Sequence, residues 1–445
     1  MPSILVLGAG QSAPYLIQHL LSEAPAGFEV VVADQSEPMA RSAIGAHPRG
    51  VAVALEARDE AAVLEKIKAA EIVVCFLAPS FQAPIARLCL EAKKPMVSAS
   101  YRSAELLALE PEAKAEGLTL LSEVGLDPGL DHMSAMRMLA RAREAGANVR
   151  GFWSYGSGVV DRDTVDNPFG YAITWNPRNV VMSGEAGAYF KEEGVERIVP
   201  YPEVFARVWP VEVPGEGVME AYANRDSVSY IEPYGLEEAE TVVRGTLRHV
   251  GYTEAWYAVA RLGMGNERIR LRNLPERSWA QLVETFLPPG SGSMRARVAA
   301  HLGIHPGNRG LSMLEWLGLF GEGAIGELAQ DAQTASDALI ALLRVRLALP
   351  PGGRDLVILH HELEVELEGQ IRRLRSTLRV HGEPGGCTAM AKTVGLPAAL
   401  ATLDILSGDL DEPGCPVPLG PSFYDGLLDR VEAAGLVFEE TGLDA

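Results

Sequence analysis

Six short apolar runs, separated by helix-like stretches, fill the first 122 residues and constrain the fold more than any other feature of this chain. Residues 4–7, "FEVVVAD", "VAVALEA", "EIVVCFLAP", "KPMVSAS" and "GLTLLSE" read as strands. Leu16, Ile17, Leu20 and Leu21 mark one face of a helix over 15–22, and Val63, Leu64, Ile67 and then Ile85, Leu88, Cys89 repeat the pattern further on. Short buried strands alternating with helices pair as a parallel sheet, and right-handed crossovers place the helices on both faces. The expected class is α/β, with a Rossmann-type doubly wound parallel sheet.

Length leaves room for more. A chain of 445 residues suggests two or three domains. After residue 146 longer strand-like runs appear, "GFWSYGSG" and "TVVRGTLRHVGYTEAWYAVARLG" among them, which suggests a second, mixed α/β sheet domain. Residues 275–348 look mostly helical. In "VILHHELEVELEGQIRRLRSTLRVHG" Leu363, Val365 and Leu367 alternate with Glu362, Glu364 and Glu366, and Arg372, Arg373 and Arg375 lie on the return, so this reads as a β-hairpin with opposite charges across it. "AMAKTVGLPAALATLDIL" is a helix that could return to the first domain. The expected division is 1–125 with 390–445, then 126–270 with 350–389, and a small helical domain over 271–349.

A formal net charge of −20 makes nucleic acid and anionic membrane poor partners, and an anionic substrate would need local arginines. No apolar run approaches a membrane span, and "MPSILVLGAG" reads as a first strand and not as a signal peptide. Cys75, Cys89, Cys387 and Cys415 form no C-x-x-C pair and read as reduced thiols of a cytoplasmic protein.

"VLGAGQSA" sets Gly8-x-Gly10-x-x-Ala13 between a strand and a helix. Gly8 permits the tight turn, Gly10 admits a pyrophosphate to the backbone, and Ala13 allows close helix–strand packing, with Gln11 and Ser12 between them. Asp34 ends the second strand, where a carboxylate accepts from ribose hydroxyls. Gln35 and Ser36 follow it with no adjacent cation, so the expected cofactor is NAD, with NADP the lesser alternative.

"SEVGLDPGLDHM" (122–133) gathers Glu123, Asp127, Asp131 and His132 after the sixth strand, at the carboxyl edge where open α/β sheets bind ligands. Asp127-Pro128 has the form of a helix start, Asp at the N-cap and Pro at the first helical position. A carboxylate here also faces the cleft, and the two roles are compatible. His132 reads as a packed or capping histidine, not as a base. No metal is expected: no matching His/Cys set recurs, and His360 and His361 point to opposite faces of their strand.

"SEVGLDPGLDHMSAM", "YANRDSVSYIEPYG", "TVVRGTLRHVGY", "WLGLFGE" and "GGCTAMAKTVGLPAAL" together resemble the glutamate-forming saccharopine dehydrogenase (saccharopine reductase) family, in order over nearly the whole chain. The resemblance implies oxidative cleavage of saccharopine to glutamate and 2-aminoadipate 6-semialdehyde, or the reverse, by a homodimer. It implies substrate contacts at Ser100, Tyr101, Asp127, Arg225, Thr246, Leu247 and Arg248. It implies catalysis by Asp127 and Tyr101, nicotinamide contacts at Leu126, Asp127 and Pro128, and a cofactor contact at Asn176. Met390 and Lys392 are expected to have a structural or cofactor-packing role. The family usually carries a cysteine where "SYGSGVVDRDTVDNP" (154–168) has Gly156, and Asp161, Asp163 and Asp166 follow. That departure suggests an alternative, a related dehydrogenase acting on a carboxylated polyamine or another opine-like amine. A non-catalytic NAD-binding scaffold is the alternative of another class.

Overall fold

The computed structural model describes residues 1–162, 164 and 167–442. Asp163 and Asp166 lie outside the described residues. The chain divides into two compact units, residues 1–148 with 378–445, and residues 149–377.

The first unit is built on a six-stranded parallel sheet, β1 (Ser3–Leu7), β2 (Glu29–Asp34), β3 (Gly50–Ala54), β4 (Ile72–Cys75), β5 (Met96–Ser98) and β6 (Leu120–Leu121), in the order β3-β2-β1-β4-β5-β6. This is the doubly wound arrangement expected from the alternation. Strands β1 and β4 are buried along their whole length, which is why they read as unbroken apolar runs. The connecting helices are α1 (Pro14–Glu23), α2 (Glu37–Ile44), α3 (Glu60–Ala69), α4 (Gln82–Ala92), the short α5 (Ala104–Leu107) and α6 (Glu110–Ala115), and then α7 (Leu130–Glu144).

The long helix Ala389–Ser407 completes this unit, as its sequence suggested. Its length and mean hydropathy of 1.3 would suffice to cross a membrane, although Lys392 and Asp404 interrupt its apolar run. However, 72% of it is buried inside the protein, and it acts as a core helix. It packs on α1 so closely that a Cβ at Gly395 would sit 2.7 Å from the Leu16 nitrogen. Helix α7, expected with the second domain, belongs here. Arg137 forks onto Glu432 at 2.9 and 2.5 Å and reaches Asp429 at 3.3 Å, which ties α7 to the C-terminal segment.

The second unit carries a mixed sheet formed from β7 (Asn148–Val160), β8 (Ala188–Glu192), β9 (Val195–Val199), β10 (Val208–Val213), β11 (Gly217–Ala223), β12 (Arg225–Asp226), β13 (Thr241–Arg248), β14 (Asp355–Leu367) and β15 (Gln370–His381). Its main path runs β10-β11-β13-β7-β14-β15, and the chain leaves the unit within β15. The hairpin β14–β15 turns on Glu368 (φ 52) and Gly369 (φ 75), the left-handed pair that a tight two-residue hairpin needs. Glu362–Arg375 at 3.1 Å and Glu364–Arg373 at 3.2 Å span it, as the alternating charges implied. His360 stacks on Tyr155 and His361 on Phe152, on opposite faces of the sheet.

One long strand-like reading fails. "TVVRGTLRHVGYTEAWYAVARLG" is β13 followed by a helix, Tyr252–Leu262. Gly251 (φ 102) breaks the strand, and Ala255, Trp256, Val259 and Leu262 bury one helical face. Four helices of six to twelve residues follow between Trp279 and Arg346, inside this same unit.

Candidate active site

At the mouth of β1, Gly8 adopts φ 101, and a Cβ there would meet the Phe76 carbonyl oxygen at 2.7 Å, so the position requires glycine. A Cβ on Gly10 would touch nothing within 4 Å, which leaves the backbone open to a large anion. Ala13 precedes α1, and no side chain caps that helix, so its first N–H groups remain available. Gln11 is exposed and Ser12 half-buried beside them. This loop fits a dinucleotide pyrophosphate. Lys392 lies with its ammonium 5.9 Å from the centre of the Tyr15 ring on α1.

Asp34 does not stand as expected. Its Oδ2 accepts from the Ala9 N–H and its Oδ1 from the Ser36 N–H, both at 2.9 Å. The carboxylate ties the glycine turn to the end of β2, and each oxygen already serves the backbone. Each oxygen keeps a further acceptor site, so these bonds neither require nor exclude a ribose hydroxyl.

Downstream of β5 and β6, the Tyr101 hydroxyl donates to Asp127 Oδ1 at 2.7 Å. Both residues follow carboxyl ends of strands. Asp127 is exposed, whereas Leu126 and Pro128 are buried on either side. The expected N-cap role of Asp127 is not found, because α7 begins at Leu130. Residues 125–129 instead close on themselves, with the Gly125 N–H donating to the Pro128 carbonyl at 3.0 Å. The Leu130 and Asp131 N–H groups donate to the Gly125 and Leu126 carbonyls, and Asp131 Oδ1 accepts from the Gly129 N–H at 2.6 Å. With the helix start answered in this way, the Asp127 carboxylate is released for Tyr101.

Gly129 holds the loop shut at φ 143, and a Cβ there would run into the Gly125 backbone. Gly129→Ala is expected to cost on the order of 1–3 kcal/mol in backbone strain, before any loss from the collision. Chemical denaturation checks this, and wild-type stability would show that the loop closes differently.

Behind this loop lies a polar network. Gln82, fully buried, donates to Ser98 Oγ (3.3 Å), the Ser100 carbonyl (3.1 Å) and Ser122 Oγ (3.4 Å). Glu123 Oε2 meets His132 Nε2 at 2.8 Å, and Glu123 Oε1 accepts from the Arg102 N–H at 2.8 Å. Burial pushes the Glu123 carboxyl up, but the His132 hydrogen bond and charge, with Arg102, more than offset this and hold it below the usual range.

In the second unit, strand alternation sorts the expected substrate residues. Leu247 is fully buried in the apolar core, so its side chain is not on the Thr246 side. Thr246 pairs with Gly156 across the sheet and shares its face with Arg244 and Arg248. Sequence reasoning did not single out Arg244, although the spacing Arg-x-Thr-x-Arg was there to be read. Its guanidinium lies 4.3 Å over the Tyr230 ring and donates to the Tyr230 hydroxyl at 2.9 Å.

Arg248 is 5% exposed. It lies between the rings of Tyr171 (5.2 Å) and Tyr252 (5.1 Å) and donates to its neighbour's carbonyl, that of Leu247, at 2.8 Å. No carboxylate among the described residues pairs with it, and its Nε has no partner among them. The cross-strand carboxylate, Glu220, is taken up by the N–H groups of Gly251 (3.0 Å) and Thr253 (2.7 Å) at a helix start. Burial would lower the Arg248 pKa, but the phenolic groups of Tyr222, Tyr252 and Tyr171 hold it above the ordinary value, so the charge persists. A buried guanidinium in that state is a seat for an anion.

The other expected positions are less suited. Arg225 is exposed at φ 56 on β12. Asn176 is exposed, and its side-chain oxygen caps a short helix by accepting from the Arg178 N–H at 3.0 Å. Asp161, which could have served a cationic amine, pairs with Arg354 at 2.6 Å.

A family model described as the saccharopine dehydrogenase NADP binding domain matches residues 4–121, and one described as the saccharopine dehydrogenase C-terminal domain matches residues 125–436. The chain is 30% identical over 455 residues to the NADP(+), L-glutamate-forming saccharopine dehydrogenase of Schizosaccharomyces pombe, covering 100% of each. It is 31% identical over 446 residues to the mitochondrial alpha-aminoadipic semialdehyde synthase of Bos taurus, covering 98% of this chain and 47% of that protein, so it spans about half of that relative. Among solved structures it is similar to apo saccharopine dehydrogenase (L-Glu forming) from Saccharomyces cerevisiae, with TM-score 0.88 and 28% identity over 99% of this chain and 100% of that one. A homospermidine synthase from Legionella pneumophila, at 10% identity and TM-score 0.57, shares the fold. These findings overturn the expectation of NAD. The matching N-terminal model is an NADP binding domain and the fungal relatives are named for NADP(+). The Asp34 carboxylate accepts from the Ala9 and Ser36 N–H groups, so its presence at the end of β2 does not by itself select NAD.

Proposed function

The chain belongs to the saccharopine dehydrogenase family, and on that premise we propose that it converts saccharopine, NADP+ and water to L-glutamate, 2-aminoadipate 6-semialdehyde, NADPH and a proton, or runs the reverse condensation. The cofactor supplies the hydride acceptor for the carbon beside the amine nitrogen. This chain's own residues must take the amine proton before the hydride leaves, then activate water against the oxidised carbon, and protonate the leaving nitrogen. The observation that carries the reading is the 2.7 Å hydrogen bond from Tyr101 to Asp127, beyond the carboxyl ends of β5 and β6. A phenol and a carboxylate in contact can hold one proton between them and pass it either way. Arg248 is the residue proposed to receive a substrate carboxylate, since nothing else described neutralises it. Ser100 sits beside Tyr101 and Thr246 shares the Arg248 face, which supports the substrate roles proposed for them.

Incubation of the purified chain with saccharopine and NADP+ is expected to generate NADPH and glutamate in equal amounts. Absence of both, with turnover of another secondary amine, would replace saccharopine as the substrate. We also propose a homodimer through the second unit, where Val195, Ile198, Val208 and Val218 stand exposed on β9, β10 and β11. Light scattering that shows only monomer at micromolar concentration would refute the dimer.

A further inference from the structure

We propose that Glu123, held by His132, is the positioning residue for Tyr101. Glu123 grips the chain on both sides of that tyrosine. Its N–H donates to the Ser100 carbonyl at 3.1 Å, and its Oε1 accepts from the Arg102 N–H at 2.8 Å. It does so from φ 61, a backbone conformation that a non-glycine residue seldom holds without compensation. Its second oxygen is fixed by His132 Nε2 at 2.8 Å, and that ring is 1% exposed.

His132 lies in the first turn of α7, next to Leu130 and Asp131, whose N–H groups bind the carbonyls of Gly125 and Leu126. The same turn therefore anchors the loop that bears Asp127 and, through Glu123, the segment that bears Tyr101. Both members of the proton-handling pair are referenced to one rigid mount. That arrangement suits a pair whose hydrogen bond must survive substrate entry and product release. Glu123 does not face the reacting atoms in this scheme. Its ionised carboxylate serves because it can accept from Arg102 and His132 at once.

The test is a double-mutant cycle with a readout that needs no substrate. Glu123→Ala, Glu123→Gln, Tyr101→Phe and the Glu123→Ala/Tyr101→Phe double variant are prepared. Tyrosine isotope-labelled at Cζ reports each phenol by NMR, and the Tyr101 signal is identified by its loss in Tyr101→Phe. The Tyr101 signal is expected to move in Glu123→Ala and to remain close to the wild-type position in Glu123→Gln, which retains an acceptor for Arg102. Turnover, which rests on the functional reading above, is expected to fall tenfold or more in kcat for Glu123→Ala, with NADPH affinity and saccharopine KM changed less than about threefold, a split that marks loss of a transition-state contribution. In the Tyr101→Phe background the same substitution should cost little further, since one residue acts through the other. An unmoved Tyr101 signal in folded Glu123→Ala overturns the proposal, as do fully additive kinetic losses. If the wild type fails on saccharopine, the functional reading falls, and the NMR result alone decides the role of Glu123.

Discussion

Asp127→Asn is expected to bind NADPH as the wild type does, melt at the same temperature, and lose on the order of 10²- to 10⁴-fold in kcat, the usual worth of a positioned acid or base. The substitution is informative because of what it leaves in place. The amide oxygen still accepts from the Tyr101 hydroxyl, so the geometry of the 2.7 Å contact survives. The side chain is exposed and caps no helix, because the start of α7 is served by the carbonyls of Gly125 and Leu126 and by Asp131. Stability should therefore be indifferent to the missing charge. Only the capacity to hold a proton goes. Steady-state kinetics and a thermal melt check both halves, and unimpaired turnover would remove Asp127 from the chemistry.

Arg248→Met should likewise separate stability from activity. The wild-type guanidinium is buried without a carboxylate among the described residues, and its cross-strand neighbour Glu220 is committed to the Gly251 and Thr253 N–H groups. Removing a buried charge of that kind relieves a desolvation cost of several kcal/mol. Against this, the variant forgoes the attraction of the guanidinium to the Tyr171 and Tyr252 rings, each about 0.5–2 kcal/mol. The melting temperature is expected to hold or rise. The substrate kcat/KM should fall roughly 10- to 150-fold, from the ~1.5–3 kcal/mol of a charge-assisted hydrogen bond, while NADPH affinity stays constant. A variant that loses stability yet keeps its kinetics would make Arg248 a packing residue.

The parallel sheet was legible because its strands are short, mostly apolar and separated by amphipathic helices. The β14–β15 hairpin was legible because its charges alternate with leucines and valines. Period alone misled at residues 252–262, where an apolar, aromatic helix follows the strand after only three residues, the last of them Gly251. At two carboxylates the backbone takes a partner that the sequence did not reveal. Asp34 and Asp127 occupy positions where a side chain has a customary partner, a ribose for one and a helix end for the other. In both places the backbone decided otherwise. At Asp34 two N–H groups reached the carboxylate first, and at Asp127 two carbonyls made the cap unnecessary. Glu123 and His132 were visible as a cluster, but their service to Tyr101, which is distant in sequence, depends on β5 and β6 lying side by side. Arg244 needed only the alternation rule, applied to a strand whose start was already known.

The second unit is inserted whole into the first, between residues 148 and 378. This has a consequence for the nascent chain. Helix α1 waits for the helix Ala389–Ser407 to cover it, and Leu16 cannot meet Gly395 until more than 370 further residues have been added. At about 5–20 residues per second, the interval between the end of α7 and the arrival of that helix is roughly ten to fifty seconds. For that time the face of α1 that bears Leu16 lies open, and the inserted unit is the first that can close a complete core.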